Sequence, residues 1–193
     1  SAPGHPLHGP YHDGEYGFPL STDAELFERL ILEINQAGLS WLTILRKREG
    51  FRAAFAGFEA AEMARFGPDD VARLLGDAGI VRHRGKIEAA VNNARAVVDM
   101  RERGESLAEL VWAHEPERRA ALSYADVPAQ TPASLALSKA LKRRGFRFVG
   151  PTTAYAAMQA MGVVNDHLSG CWVHDACEEE RQQLALPLTP PAE

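Results

Sequence analysis

No window of this 193-residue chain approaches the ~18 continuous apolar residues that a membrane-spanning helix needs. Its first ten residues, SAPGHPLHGP, have neither the basic region nor the apolar run of a secretory signal. A soluble, cytoplasmic protein with no membrane partner is therefore expected. Cysteine is scarce: Cys171 and Cys177 lie so close together that a disulfide between them would staple little of the fold, which favours reduced thiols or metal ligation. A surplus of positive charge is also missing. With 21 Lys and Arg against 26 Asp and Glu the formal net charge is -5, so bulk electrostatics cannot hold the chain on nucleic acid and any DNA contact has to be local.

No segment alternates polar and apolar residues over a strand's length between turns, while Ala, Leu, Glu and Arg dominate. The expectation is an all-α fold, a helical bundle joined by short loops. Hydrophobic residues make up 46% of the chain, enough for one compact domain, assigned to residues 1–177. Residues 178–193, ending in the proline-rich LALPLTPPAE, are expected to form a flexible tail. Internal repeats are absent.

Thr22 and Glu25 form a capping-box pair, and Leu26, Phe27, Leu30, Ile31 and Ile34 follow at helical spacing, which predicts a helix from about Asp23 to Ala37. Gly38 stops it, and Ser40 caps a second helix predicted over Trp41 to Arg48. Pro68 with two aspartates opens another helix, Thr131-Pro132 opens one that Gly145 closes, and Pro151 starts a last long apolar one.

Between two of these helices the segment DAGIVRHRGKI, Asp77 to Ile87, brackets a basic turn with two glycines and has the form of a helix-hairpin-helix. Such a turn aims backbone N–H groups and a helix N-terminus at a DNA phosphate, with Arg82, Arg84 and Lys86 adding charge. An ordinary solvated loop explains the same residues. The basic stretches RKREGFR (46–52) and KRRGFR (142–147) sit near predicted helix ends, where cations are favourable without any ligand.

Glu33 falls at the edge of its helix's apolar stripe. A carboxylate there reaches water, finds a partner, or is neutralised by a raised pKa. Trp41 follows directly on the helical hairpin, and Tyr11 and Tyr16 can close an aromatic slot around Glu33; rings and a carboxylate together suit a flat cation. His12, His167 and Cys171 are zinc ligands by residue type, with His167 and Cys171 in the spacing H-x-x-x-C, but three are one short of a closed structural site.

From Tyr11 to Cys171 the chain resembles the 3-methyladenine DNA glycosylase I family. YHDGEYGFP, LEINQAGLSWLTILRKREGFR, DAGIVRHRGKI, TPASLALSKALKRRGFRFVG and MGVVNDHLSGC occur in the family's order. The resemblance implies an all-helical relative of the helix-hairpin-helix glycosylases that excises 3-methyladenine from double-stranded DNA, releases the free base and leaves an abasic site on an intact strand. It implies Glu33 as the catalytic, base-pocket glutamate and Tyr11, Tyr16 and Trp41 as pocket aromatics. Leu39 is placed at the hairpin tip that approaches the duplex, and Lys86 is expected at a phosphate rather than as a Schiff-base lysine.

A structural zinc is implied on His12, His167 and Cys171. The family's fourth ligand, a cysteine in an R-C-x-W context, has no counterpart in this sequence, and His5 or His8 would be the substitutes. Tyr16 stands where the family usually has tryptophan. A monomer is expected. Two rival readings compete: a non-catalytic helix-hairpin-helix module that binds damaged DNA, and a zinc hydrolase with Glu33 as general base.

Overall fold

The computed structural model describes residues 4–185. Among these residues no strand forms, and the isolated parallel bridge between Ala121 and Leu168 is the extent of β pairing. The helices are α1 (His8–Gly14), α2 (Asp23–Gln36), α3 (Trp41–Ala54), α4 (Ala60–Ala64), α5 (Pro68–Gly76), α6 (Arg84–Glu102), α7 (Leu107–Trp112), α8 (Pro132–Arg143), α9 (Pro151–Ala160) and α10 (His174–Gln183). The all-α expectation holds.

The central element is α2, which packs on α3, α6, α7 and α9. Its start is the predicted capping box: Thr22 Oγ1 accepts from the Glu25 N–H, and the Glu25 carboxylate accepts from the Thr22 N–H. Leu26, Phe27, Leu30, Ile31, Leu32 and Ile34 are all buried, and so are the polar Arg29, Glu33 and Asn35, so the helix is covered on most of its sides and occupies the middle of the bundle. Each of the apolar side chains contributes ~1.5–3 kcal/mol by leaving water, which makes α2 the support for whatever it carries.

Three boundaries differ from the sequence reading. α3 runs six residues past Arg48, to Ala54, because Phe51 and Ala54 bury against the core and extend the helix beyond its basic stretch. The helix opened by Pro151 is ten residues long and is followed by another. That following helix, α10, overturns the domain boundary at 177: Cys177 and Arg181 are buried, and Arg181 donates to the Val163 carbonyl and to Glu115 and Glu178. Residues 186–193, the second half of the expected tail, lie outside the described residues.

The helical hairpin is built as expected. Gly38 takes φ +80°, a left-handed value that suits glycine, and Ser40 Oγ accepts from the Thr43 N–H at the start of α3. α3 then lies on the helix-hairpin-helix turn at backbone distance. A Cβ on Gly50 would meet the Gly79 carbonyl oxygen at 2.4 Å, and Lys47 Nζ donates to the Ala78 carbonyl at 2.6 Å.

Candidate active site and metal cluster

Glu33 projects from α2 into a buried position, 6% exposed, and accepts no hydrogen bond from any described residue. Desolvation dominates its electrostatics and pushes its pKa from 4.5 up to about 7, against a smaller lowering by the Arg29 charge. The three expected aromatics assemble beside it. Tyr11, on α1, lies 5.1 Å from the Trp41 ring and 6.1 Å from the Tyr16 ring, centroid to centroid, and the planes are tilted by 44° and 50°. Burial raises the pKa of both tyrosines, and the Glu33 charge adds to this.

The local chain explains the placement. α1 ends where the Tyr11 carbonyl accepts from both the Glu15 and Tyr16 N–H groups, which turns Tyr16 back toward Tyr11. The Gly17 N–H then donates to the Gln159 carbonyl and the Leu20 N–H to the Met161 carbonyl, tying the segment to the end of α9. The Trp41 indole N–H is buried without a hydrogen-bond partner among the described residues. The site therefore holds an unspent donor and an unspent carboxylate inside an aromatic frame, a costly arrangement unless something flat and polar completes it.

Arg29 escaped the sequence reading, although its place four residues before Glu33, one helical turn away, was the available signal. Buried at 5% exposure, it sits 5.4 Å over the Tyr11 ring and donates to Glu15 at 3.0 Å. Glu15 also accepts from Arg48, and Glu28 accepts from Arg52. The basic stretch at 46–52 is thus spent partly on ion pairs within the fold, as the helix-end reading anticipated in kind.

Tyr16 also borders a second space. A cavity of about 550 Å³ lies against it, walled also by His12, His167, Cys171, Asp166 and Tyr124. Glu33 is not part of that wall. At the back of this cavity Asp166, another residue the sequence reading missed, accepts from the Tyr155 hydroxyl at 2.5 Å and from Gln159 at 2.8 Å. Burial first and this bond second push the Tyr155 pKa up to about 12.

His12, His167 and Cys171 converge, with one ligand atom from each within 4.8 Å of the others. His167 Nε2 donates to the Tyr16 carbonyl at 2.8 Å, which leaves Nδ1 as the lone-pair nitrogen facing Cys171 Sγ at 3.6 Å. His12 Nδ1 is held by Asp13 at 2.8 Å, leaving Nε2 to face the same sulfur at 3.6 Å. Outer partners of this kind fix the tautomer that a metal ligand needs. The spacing fits zinc: an ion ~2.1 Å from nitrogen and ~2.3 Å from sulfur, at a tetrahedral angle, separates those atoms by about 3.6 Å. His5 and His8 are not part of the cluster; the His5 ring accepts from the Leu7 and His8 N–H groups.

The hairpin residues divide. Arg82 is exposed and makes no ion pair among the described residues, and Arg84 is exposed with a 3.3 Å pair to Glu88. Leu39 is 39% exposed at the tip between α2 and α3. Lys86 corrects the expectation of a phosphate contact: it is 7% exposed, and its ammonium donates to the Asn35 and Ala37 carbonyls at 2.8 and 2.6 Å. Those carbonyls end α2 without helical partners, and a cation there satisfies both their hydrogen bonds and the helix dipole. Lys86 thereby pins the Leu39 turn to the start of α6.

Known proteins resemble this chain over most of its length. Residues 2–174 match the family model described as methyladenine glycosylase. DNA-3-methyladenine glycosylase 1 of Escherichia coli (strain K12) is 50% identical over 169 residues, 86% of this chain and 90% of that protein. A crystal structure of 3-methyladenine DNA glycosylase I superposes with a TM-score of 0.86 at 50% identity, covering 89% of this chain and 96% of that one. A variant of 3-methyladenine DNA glycosylase I crystallised in complex with 3-methyladenine gives 0.85 at 34% identity, covering 89% and 94%. With the family model spanning most of the chain and half of the aligned residues identical to a named relative, this chain belongs to the methyladenine glycosylase family.

Proposed function

We propose that this protein excises 3-methyladenine from alkylated DNA, hydrolysing the N-glycosidic bond and leaving an abasic site. The observation that carries the reading is the buried Glu33 carboxylate, unpaired among the described residues, with Tyr11, Tyr16 and Trp41 grouped at the same site. Methylation at N3 makes adenine cationic and weakens its bond to the sugar, so the protein has to select the base more than activate it. The nucleotide leaves the stack at a cost of a few kcal/mol, with Leu39 filling the gap in the duplex.

In the pocket the rings stack on the cation for ~1–2 kcal/mol. Glu33 as an anion supplies a charge-assisted hydrogen bond that neutral adenine does not return equally, and the Trp41 N–H is the available donor to the base edge. Bond breaking leaves an oxocarbenium-like sugar that water captures. No lysine is needed as a nucleophile, and Lys86 is already spent on carbonyls. Mass spectrometry of bases released from methylated duplex DNA is the test: 3-methyladenine from a strand left uncut is expected, and no released base would leave the rival reading, a non-catalytic damage-binding module.

Zinc on His12, His167 and Cys171 is proposed as a structural tie between α1, which carries Tyr11, and the 161–171 segment. Supporting it are the donor set, the spacing and the two fixed imidazoles. A bound ion would contribute cross-linking of these segments and no catalytic water, since Glu33 is not part of the cluster's cavity. Elemental analysis is expected to find about one zinc per chain, and Cys171→Ser to lose both the metal and several degrees of thermal stability; a metal-free protein indifferent to Cys171→Ser would remove zinc from the account. We further propose that the protein acts as a monomer in the cytoplasm. Among the described residues no helix is long and apolar enough to cross a membrane.

A further inference from the structure

Three described residues other than glycine have left-handed backbone: Ala56, Phe58 and Phe148. For a bulky side chain this conformation is strained and persists only where surrounding contacts impose it. At Phe58 the compensation is visible, because the ring is 3% exposed and stacks on Phe55 with centroids 6.1 Å apart. Phe148, at φ +59°, is not buried in this way and leaves its ring 48% exposed.

Buried polar side chains hold the backbone on both sides of it. Asn93, fully buried on α6, accepts from the Arg147 N–H at 2.8 Å and donates to the Arg147 carbonyl at 3.0 Å. Ser138, buried on α8, donates to the Val149 carbonyl at 2.6 Å, and Asn92 donates to the Gly145 carbonyl at 2.7 Å. The fold thus spends three side chains on fixing a short loop whose effect is to hold an aromatic ring outward.

The ring's position indicates its partner. It stands edge-on to His83, 6.4 Å between centroids, and a Cβ on Gly85 would come within 3.2 Å of its Cζ. His83 caps α6 within the basic turn, and Lys86, one residue beyond Gly85, holds the Leu39 turn through its two carbonyl bonds. Leu39 and Phe148 are therefore both tied to the first turn of α6, and the exposed Arg82 and Arg147 lie beside them.

We propose that Phe148 is a second apolar contact to the DNA, packing on the bases or sugars of the duplex near the lesion while the hairpin holds the phosphates. This rests on the reading that the turn at Arg82 faces the backbone. Arg147, exposed and with its side chain in no ion pair among the described residues, adds phosphate charge beside the ring.

The test is binding to a short duplex carrying a tetrahydrofuran abasic analogue, followed by fluorescence anisotropy between about 50 and 200 mM salt. Phe148→Gly and Phe148→Asn both accept the left-handed backbone, so the wild-type thermal midpoint is expected to be kept or exceeded. Loss of an aromatic contact weakens binding about tenfold. Because no charge is removed, the slope of log affinity against log salt stays at the wild-type value. Wild-type affinity in either folded variant overturns the proposal, as does a changed salt slope, which would mean that the ring acts through the hairpin. A lowered midpoint in both variants would make Phe148 a packing residue and equally overturn it. Arg82→Ala is expected to reduce the salt slope by about one; if it does not, the hairpin reading fails, and the Phe148 result is still readable by itself.

Discussion

Glu33→Gln is expected to lose roughly a hundredfold in excision of 3-methyladenine while unfolding at a higher temperature than the wild type at pH 8. The two effects share one cause, a carboxylate placed where water cannot solvate it. In catalysis the anion is matched to a cationic base, and replacing it by a neutral amide of the same shape removes charge complementarity in a desolvated site, worth about 2.7 kcal/mol for a hundredfold change.

In stability the sign runs the other way. Burial lifts the Glu33 pKa from 4.5 to about 7, so between those values the native state holds a proton that the unfolded chain has released. Stability therefore falls as pH rises through that window, and the cost is complete above it, on the order of 3 kcal/mol. Glutamine has nothing to ionise. The variant should gain several degrees over the wild type at pH 8 and nothing at pH 4, measured by thermal unfolding at both values. The wild-type kcat/KM should fall on the acid side with a midpoint near 7, since that profile reports the free enzyme. A Glu33→Gln protein with full turnover, or with equal stability gains at both pH values, would show that the carboxylate is not the buried anion proposed.

Gly162→Ala is the substitution expected to damage the fold most. Gly162 has φ +73°, and a Cβ there would lie 2.4–2.5 Å from the Phe18 carbonyl and the Pro19 nitrogen. Backbone strain alone costs ~1–2 kcal/mol for a non-glycine residue. The collision is with main chain and not with a side chain that could rotate away, so the segment 18–19 has to move off the end of α9. That movement breaks the Leu20 to Met161 bond and frees the stretch that carries Tyr16. A loss of about 4 kcal/mol or more is expected in denaturant unfolding, with 3-methyladenine excision reduced in whatever remains folded. Wild-type stability in Gly162→Ala would mean that this approach is looser than the structure has it.

Much of the fold is local and could be read directly. The caps at Thr22 and Ser40, the prolines opening α5, α8 and α9, and the stop at Gly38 are short-range chemistry, and the structure reproduces them. α10 could not be read this way. It is polar, and it is helical because Cys177 and Arg181 bury against partners elsewhere in the sequence, Cys177 at the Tyr16 carbonyl and Arg181 at Val163 and Glu115. The extra turns of α3 depend on burial of Phe51 and Ala54 in the same way. Lys86 was misread for a related reason: within DAGIVRHRGKI it looks like one more cation of a basic turn, and the two carbonyls that claim it, of Asn35 and Ala37, belong to another helix.

By itself the sequence determined the helical class, the helical hairpin and the identity of the residues able to bind a flat cation or a zinc ion, because capping, periodicity and side-chain chemistry are properties of a few adjacent residues. Only the tertiary structure decided that Glu33 is buried with no hydrogen-bond partner among the described residues, that Arg29 stands over Tyr11, that His12 meets Cys171, and that Phe148 is held outward under strain. Each of those depends on main-chain and side-chain groups brought together from distant parts of the chain, and desolvation, the force that sets the charge state of Glu33, exists only once they have met.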